Sequence, residues 1–136
     1  MKSSTTTHTA VLESYHRCEA SAAFFDTFYD RFFAKSAQIP PKFANTDMTQ
    51  QKQAVVASVL MALRLRTGDP AACRFVMDLA QSHNRRGHDI HPKLYPLWLD
   101  ALCEAVQKHD PEITPALEAE WRKEMRPAIE MMIAAY

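Results

Sequence analysis

Three polar side chains stand where helical periodicity calls for apolar ones. Gln51 falls inside the stripe Met48, Val55, Val59 and Ala62, and His83 extends the stripe Ala72, Val76 and Leu79 by one turn. Tyr29 lies within the aromatic run Phe25, Phe28, Phe32 and Phe33. At about 100° per residue these positions share a face with their apolar neighbours. A buried amide, imidazole or phenol left without a partner costs roughly 1–3 kcal/mol, so each must meet something polar inside. Local answers exist: the amide can reach a nearby carbonyl, the imidazole can favour a helix C-terminus, and the phenol can find backbone. Yet all three fall on helices able to surround one cavity. There an imidazole can ligate a metal, and a phenol O–H and an amide N–H can donate to a ligand.

The elements that must position these groups follow from composition. The chain has 136 residues, 47% hydrophobic and 24% charged, which fits one domain with its own core. Its 16 basic and 16 acidic residues cancel, so no broad electrostatic grip on nucleic acid or anionic lipid is expected. Two glycines cannot supply the turns of a β-rich fold or a glycine-rich phosphate loop, and eight prolines punctuate apolar runs. This predicts an all-α protein. Cys18, Cys73 and Cys103 are odd in number and widely spaced, which fits reduced, inert thiols and a cytoplasmic protein. No apolar run approaches the ~20 residues of a membrane span, and the N-terminus lacks a signal-peptide core.

Residues 1–9 read as a flexible tail and 10–136 as the domain. A short helix is predicted over Ala10 to Cys18, with Leu12, Tyr15 and His16 on one side. A second runs from near Ala20 to before Pro40-Pro41, and a connector, Ile39 to Thr46, carries Phe43. Thr46-Asp47 caps a third helix, Met48 to Arg66, which Thr67-Gly68 ends. Asp69-Pro70 opens a fourth, Ala71 to Asn84. Pro92 opens a fifth reaching Lys108, with Trp98, Leu99, Leu102 and Val106 as its stripe. Asp110-Pro111 is read as the start of a last helix, kinked at Pro127, whose charges from Glu118 to Arg126 form a solvated face. Met125, Met131 and Met132 are expected in the core or at a subunit contact.

Four stretches then carry a resemblance: Phe-Tyr-Asp-Arg-Phe-Phe at 28–33, Phe-Ala-Asn-Thr-Asp-Met-Thr-Gln-Gln at 43–51, Leu-Ala-Gln-Ser-His at 79–83 and Pro-Lys-Leu-Tyr-Pro-Leu-Trp-Leu at 92–99. Together, over Leu12 to Ile133, the chain resembles a bacterial single-domain globin related to the haem domain of flavohaemoglobins. The resemblance implies helices wrapped around one haem b (iron protoporphyrin IX), with His83 as proximal iron ligand and Phe43 stacked on the porphyrin. It also implies Tyr29 and Gln51 as distal donors to a bound gas, with Val55 as their apolar neighbour. Leu79, Ile90, Tyr95 and Trp98 complete the expected haem contacts. Arg85 and Arg86 either reach the propionates or stay solvated.

The chain departs from these relatives in two places. The segment between His83 and Tyr95 is longer, so the polar turn Arg85-Arg86-Gly87-His88 is expected to loop outward. His88 and His91 lie near the proximal position, but only His83 continues the stripe from Leu79, and His91 precedes a proline. Tyr95 matches a tyrosine that supports the proximal histidine in flavohaemoglobins, whereas the position of their late glutamate falls at or near Tyr136. The proximal push on iron is therefore expected to be weaker than in a dedicated NO dioxygenase. The implied function is reversible binding of O₂, CO or NO, serving oxygen delivery or NO detoxification with an external reductase. A haem-based sensor with a partner protein, and a haem-free interaction module, are the alternatives.

Overall fold

The computed structural model describes residues 4–136, and side chains from His8 onward. Six α-helices follow one another: α1 (Ser4–Glu19), α2 (Phe24–Ala34), α3 (Met48–Leu65), α4 (Pro70–His83), α5 (Leu94–His109) and α6 (Pro115–Ala134). A 3-10 turn, Pro40–Phe43, interrupts the connector between α2 and α3. The prediction of an all-α protein holds among the described residues. α2 packs mainly on α5, while α3 packs on α4 and α6, and α1 lies across α5 and α6.

Capping chemistry sets most boundaries where the sequence put them. The Asp47 carboxylate accepts from the Thr49 and Gln50 amides, and Asp69 accepts from Ala71 ahead of Pro70. Gly68 takes φ +78 after α3, a conformation that suits glycine. The buried face of α2 is Phe24, Phe28, Tyr29 and Phe32, with Phe25 and Phe33 half-buried against it. Phe28 meets Trp98 edge-on across the α2–α5 contact.

Several expectations need correction. Residues 1–3 of the expected tail lie outside the described residues, but the chain is helical from Ser4, ahead of Ala10. His8 in this early part bonds Glu124 of α6, Nδ1 to Oε1 at 2.9 Å. Among the described side chains of α1, Val11, Ser14, Tyr15 and Cys18 are buried, while His16 faces solvent. The second helix starts at Phe24, after a turn through Ala20–Ala23.

Asp110-Pro111 does not open the last helix. Asp110 is the C-terminal cap residue of α5; its carboxylate accepts from Ser14, Arg17 and the Glu112 amide, and the chain makes only a turn there before α6. Thr114 caps α6 instead, accepting from the Leu117 amide at 3.1 Å ahead of Pro115. Nor is Glu118 to Arg126 wholly solvated: Trp121, Glu124 and Met125 are buried. Glu124 survives burial because His8 bonds one oxygen and Arg66 Nε stands 3.1 Å from the other.

Candidate functional site

The helices enclose a cavity of about 390 Å³, within the range typical of small-molecule sites. Tyr29, Phe43, Gln51, Val55, Leu79, His83, Ile90, Tyr95 and Trp98 all line it, whereas Arg85 and Arg86 do not. They come from α2, the 3-10 turn, α3, α4, the α4–α5 loop and α5, so no single stretch of chain builds the site. Met125 and Met132 of α6 add soft apolar wall. The sequence placed them in the core or at a subunit contact and did not show their place at the cavity.

His83 ends α4, and its ring is held by its own helix. Nδ1 lies 2.8 Å from the Leu79 carbonyl and 3.0 Å from Ser82 Oγ. A carbonyl can only accept, so Nδ1 carries the proton and Nε2 keeps a bare lone pair. Among the described residues Nε2 has no hydrogen-bond partner. Burial pushes the His83 pKa below its ordinary 6.5, and neighbouring His88 adds to this against the opposing Leu79 carbonyl. The ring is therefore a neutral imidazole at pH 7, the form that ligates a metal.

Tyr29 is 3% exposed, wedged by Phe28, Phe33 and Phe43. Gln51 Nε2 donates to its hydroxyl oxygen at 3.1 Å. Because the phenol accepts there, its own O–H is left to point elsewhere, and the cavity is the space it lines. Burial raises the Tyr29 pKa to about 12, although the Gln51 bond works the other way. The phenol stays a proton donor at any ordinary pH. Val55, one turn after Gln51, is buried and apolar beside the pair.

The loop after His83 differs from its expected outward course. Arg85, Arg86, Gly87 and His88 are exposed, yet the chain folds back over the end of α4. The His88 amide donates to Ser82 O, and the Ile90 amide to His83 O, both at 2.9 Å. Gly87 permits this, since a Cβ there would lie 2.2 Å from Ser82 O. Lys42 of the 3-10 turn donates to Asp89 O at 3.0 Å, fastening the loop from the other side. His88 thereby reaches the cavity, its ring centroid 5.7 Å from that of His83. His91 packs on Tyr136 instead and does not line the cavity.

Tyr95 lines the cavity but makes no hydrogen bond to His83, whose Nδ1 partners both belong to α4. Burial raises its pKa to about 12. Tyr136, where a late glutamate was sought, donates its hydroxyl to Asp89 at 2.6 Å, and its ring lies under Arg85. Among the described residues no carboxylate bonds the His83 ring. Cys18 and Cys103 are buried with thiol pKa values pushed up by burial to about 12, as expected of inert cysteines. Among the described residues no helix is long and apolar enough to cross a membrane.

Helices folded about one deep, largely apolar cavity, with an imidazole and a tyrosine–glutamine pair on its walls, define an all-α fold of globin type. The chain belongs to the globin family: the family's profile matches residues 26–132. It is similar to a crystal structure from Pseudomonas aeruginosa PAO1 of a protein described as structurally highly homologous to a human hemoglobin. That chain is 40% identical, with a TM-score of 0.91 over 96% of this chain and 98% of the other. No curated protein matches. Globins typically bind haem, and the family is one of diatomic-gas binding in general.

Proposed function

We propose that this globin binds one haem b through His83 and holds O₂, CO or NO reversibly beside Tyr29 and Gln51. The observation that carries it is the 2.8 Å contact of His83 Nδ1 with the Leu79 carbonyl on a wall of the cavity: a carbonyl can only accept, which puts the proton on Nδ1 and leaves the Nε2 lone pair free. The donor set fits the group, since a neutral imidazole is a good ligand for ferrous haem and His83 would hold it. When bound, the haem supplies an iron atom to which a diatomic gas can add and from which it can leave.

The chain's own residues do the rest. Phe43 and Val55 present apolar surface to the ring and exclude water, and Leu79, Ile90, Tyr95 and Trp98 extend that surface. A dioxygen ligand would take on partial negative charge, and the Tyr29 O–H would donate to it. Gln51 orients that O–H by donating to its oxygen.

Nδ1 of His83 meets a carbonyl and a hydroxyl rather than a carboxylate, so little negative charge is passed to the iron. This favours reversible binding over NO dioxygenation, which would also need electrons from an external reductase. An absorption spectrum of the purified protein, reduced and then exposed to CO and O₂, tests the reading. The expected result is a five-coordinate ferrous haem spectrum that shifts with each gas and recovers on its removal. Failure of the protein to take up added haem would overturn it and favour the interaction-module alternative.

A further inference from the structure

Inside the molecule the Gln51–Tyr29 bond joins α3 to α2; outside, a second bond joins the same helices. Lys52 Nζ donates to Asp26 Oδ1. Asp26 sits one turn before Tyr29, and Lys52 follows Gln51 directly, so the two bridges are offset by about one turn on α2 and by one residue on α3. Among the described residues these are the two side-chain hydrogen bonds that span α2 and α3.

Backbone packing does little to fix the spacing of these helices. α2 lies mainly on α5 and α3 on α4 and α6, and α2–α3 is not among the closely packed pairs. The connector between them contains a 3-10 turn rather than a tight link. A hydrogen bond loses strength steeply with distance and angle, so the Tyr29–Gln51 contact at 3.1 Å needs the helices held in register.

We propose that Asp26 and Lys52 are positioning residues: their ion pair clasps α2 to α3 from outside and keeps Tyr29 and Gln51 in hydrogen-bonding register inside. The inference rests on the gas-binding reading above. Side-chain exposures of 57% for Asp26 and 37% for Lys52 make the pair a weak contributor to global stability and one open to salt. Gas retention should therefore respond to ionic strength, although the gas itself is uncharged.

Stopped-flow O₂ dissociation from the haem-loaded protein tests this. Lys52→Met should speed dissociation by about two- to fivefold at low salt, the range open to an exposed ion pair. Raising NaCl from ~10 mM to ~500 mM should bring the unaltered protein toward the variant's rate and leave the variant unchanged. The exchanged pair Asp26→Lys/Lys52→Asp should restore the slow rate, and Lys52→Met should add nothing to Tyr29→Phe. In haem-free protein, the nuclear Overhauser contact between the Gln51 amide and the Tyr29 ring should weaken in Lys52→Met.

An unchanged dissociation rate in Lys52→Met, or acceleration that persists in the Tyr29→Phe background, would overturn the proposal. If Tyr29→Phe itself leaves the rate unchanged, the distal assignment fails instead. The haem-free contact then decides the clasp alone: loss on Lys52→Met supports it, and retention overturns it.

Discussion

Two groups of buried polar residues in this fold have opposite bonding. At the junction of α1, α5 and α6, the Asp110 carboxylate accepts from Ser14 Oγ at 2.5 Å, from Arg17 at 2.6 and 3.0 Å, and from the Glu112 amide. Ser14 in turn accepts from Trp121 Nε1 at 2.9 Å. That network closes on itself. At the cavity, among the described residues, His83 keeps an unpartnered Nε2, and Tyr29 accepts a hydrogen bond while its own proton has no acceptor. Ser14, Asp110 and Tyr29 are buried while His83 is half-buried, but what separates the two places is whether bonding capacity is left over. A closed network can only stabilise, whereas an open one has something to offer a ligand.

The largest effect expected from breaking the open set is His83→Ala. Loss of the free lone pair should weaken haem retention by at least about 100-fold, measured by transfer of haem to an acceptor protein. His88→Ala, although its ring also reaches the cavity, should leave the ferrous spectrum intact. A normal histidine-ligated spectrum in His83→Ala would move the proximal role to His88. Melting of the haem-free protein should change little in either variant.

Breaking the closed set should do the reverse. Asp110→Ala removes the acceptor of the Ser14 hydroxyl and the main partner of Arg17 in a largely buried place and should cost about 3 kcal/mol, or roughly 10 °C in Tm, with O₂ dissociation unchanged. The acid limb of stability tests the same residue. Burial pushes the Asp110 pKa up, but the bonds from Arg17, Ser14 and the Glu112 amide outweigh it and hold the carboxyl below its ordinary 3.8. A group depressed on folding stabilises above its unfolded pKa and loses that contribution as pH falls through the folded one. Stability should therefore fall below about pH 4, and Asp110→Asn should flatten that part of the profile.

The cavity set was more legible in the sequence than the junction set. Gln51 and His83 broke an apolar stripe, and helical period alone exposes such breaks. Ser14 and Asp110 broke nothing. Asp110 precedes a proline, and an aspartate there reads locally as a helix cap; its real partners, Ser14 and Arg17, lie far away in sequence. Glu124 was hidden for the same reason, among charges that look solvated until His8 and Arg66 are brought to it. The backward fold of the loop after His83 was hidden too, because only the fold shows that Gly87 must pass close to Ser82 O. Local pattern shows which residues are anomalous, and tertiary contact decides which anomalies are satisfied.

The smallest of these effects, Tyr29→Phe, is the sharpest test of the contrast. The substitution keeps the ring, and with it the contacts to Phe28, Phe33 and Phe43, but removes the hydroxyl. Gln51 then loses its acceptor and is half-buried, so some loss of stability is offset by water or by the amide turning outward. If the O–H serves the ligand, O₂ dissociation should quicken by about tenfold, the worth of one hydrogen bond to a partly charged acceptor. CO, which draws little negative charge, should dissociate at nearly its former rate. The ratio of the two changes carries the information. Equal acceleration of both gases would mean that the ring had moved or the cavity had opened, and that the spare donor of Tyr29 has no electrostatic role. A difference confined to O₂ would fix the role on the proton, and it should persist from neutral pH to well above pH 9, because a phenol with a pKa of about 12 remains protonated there.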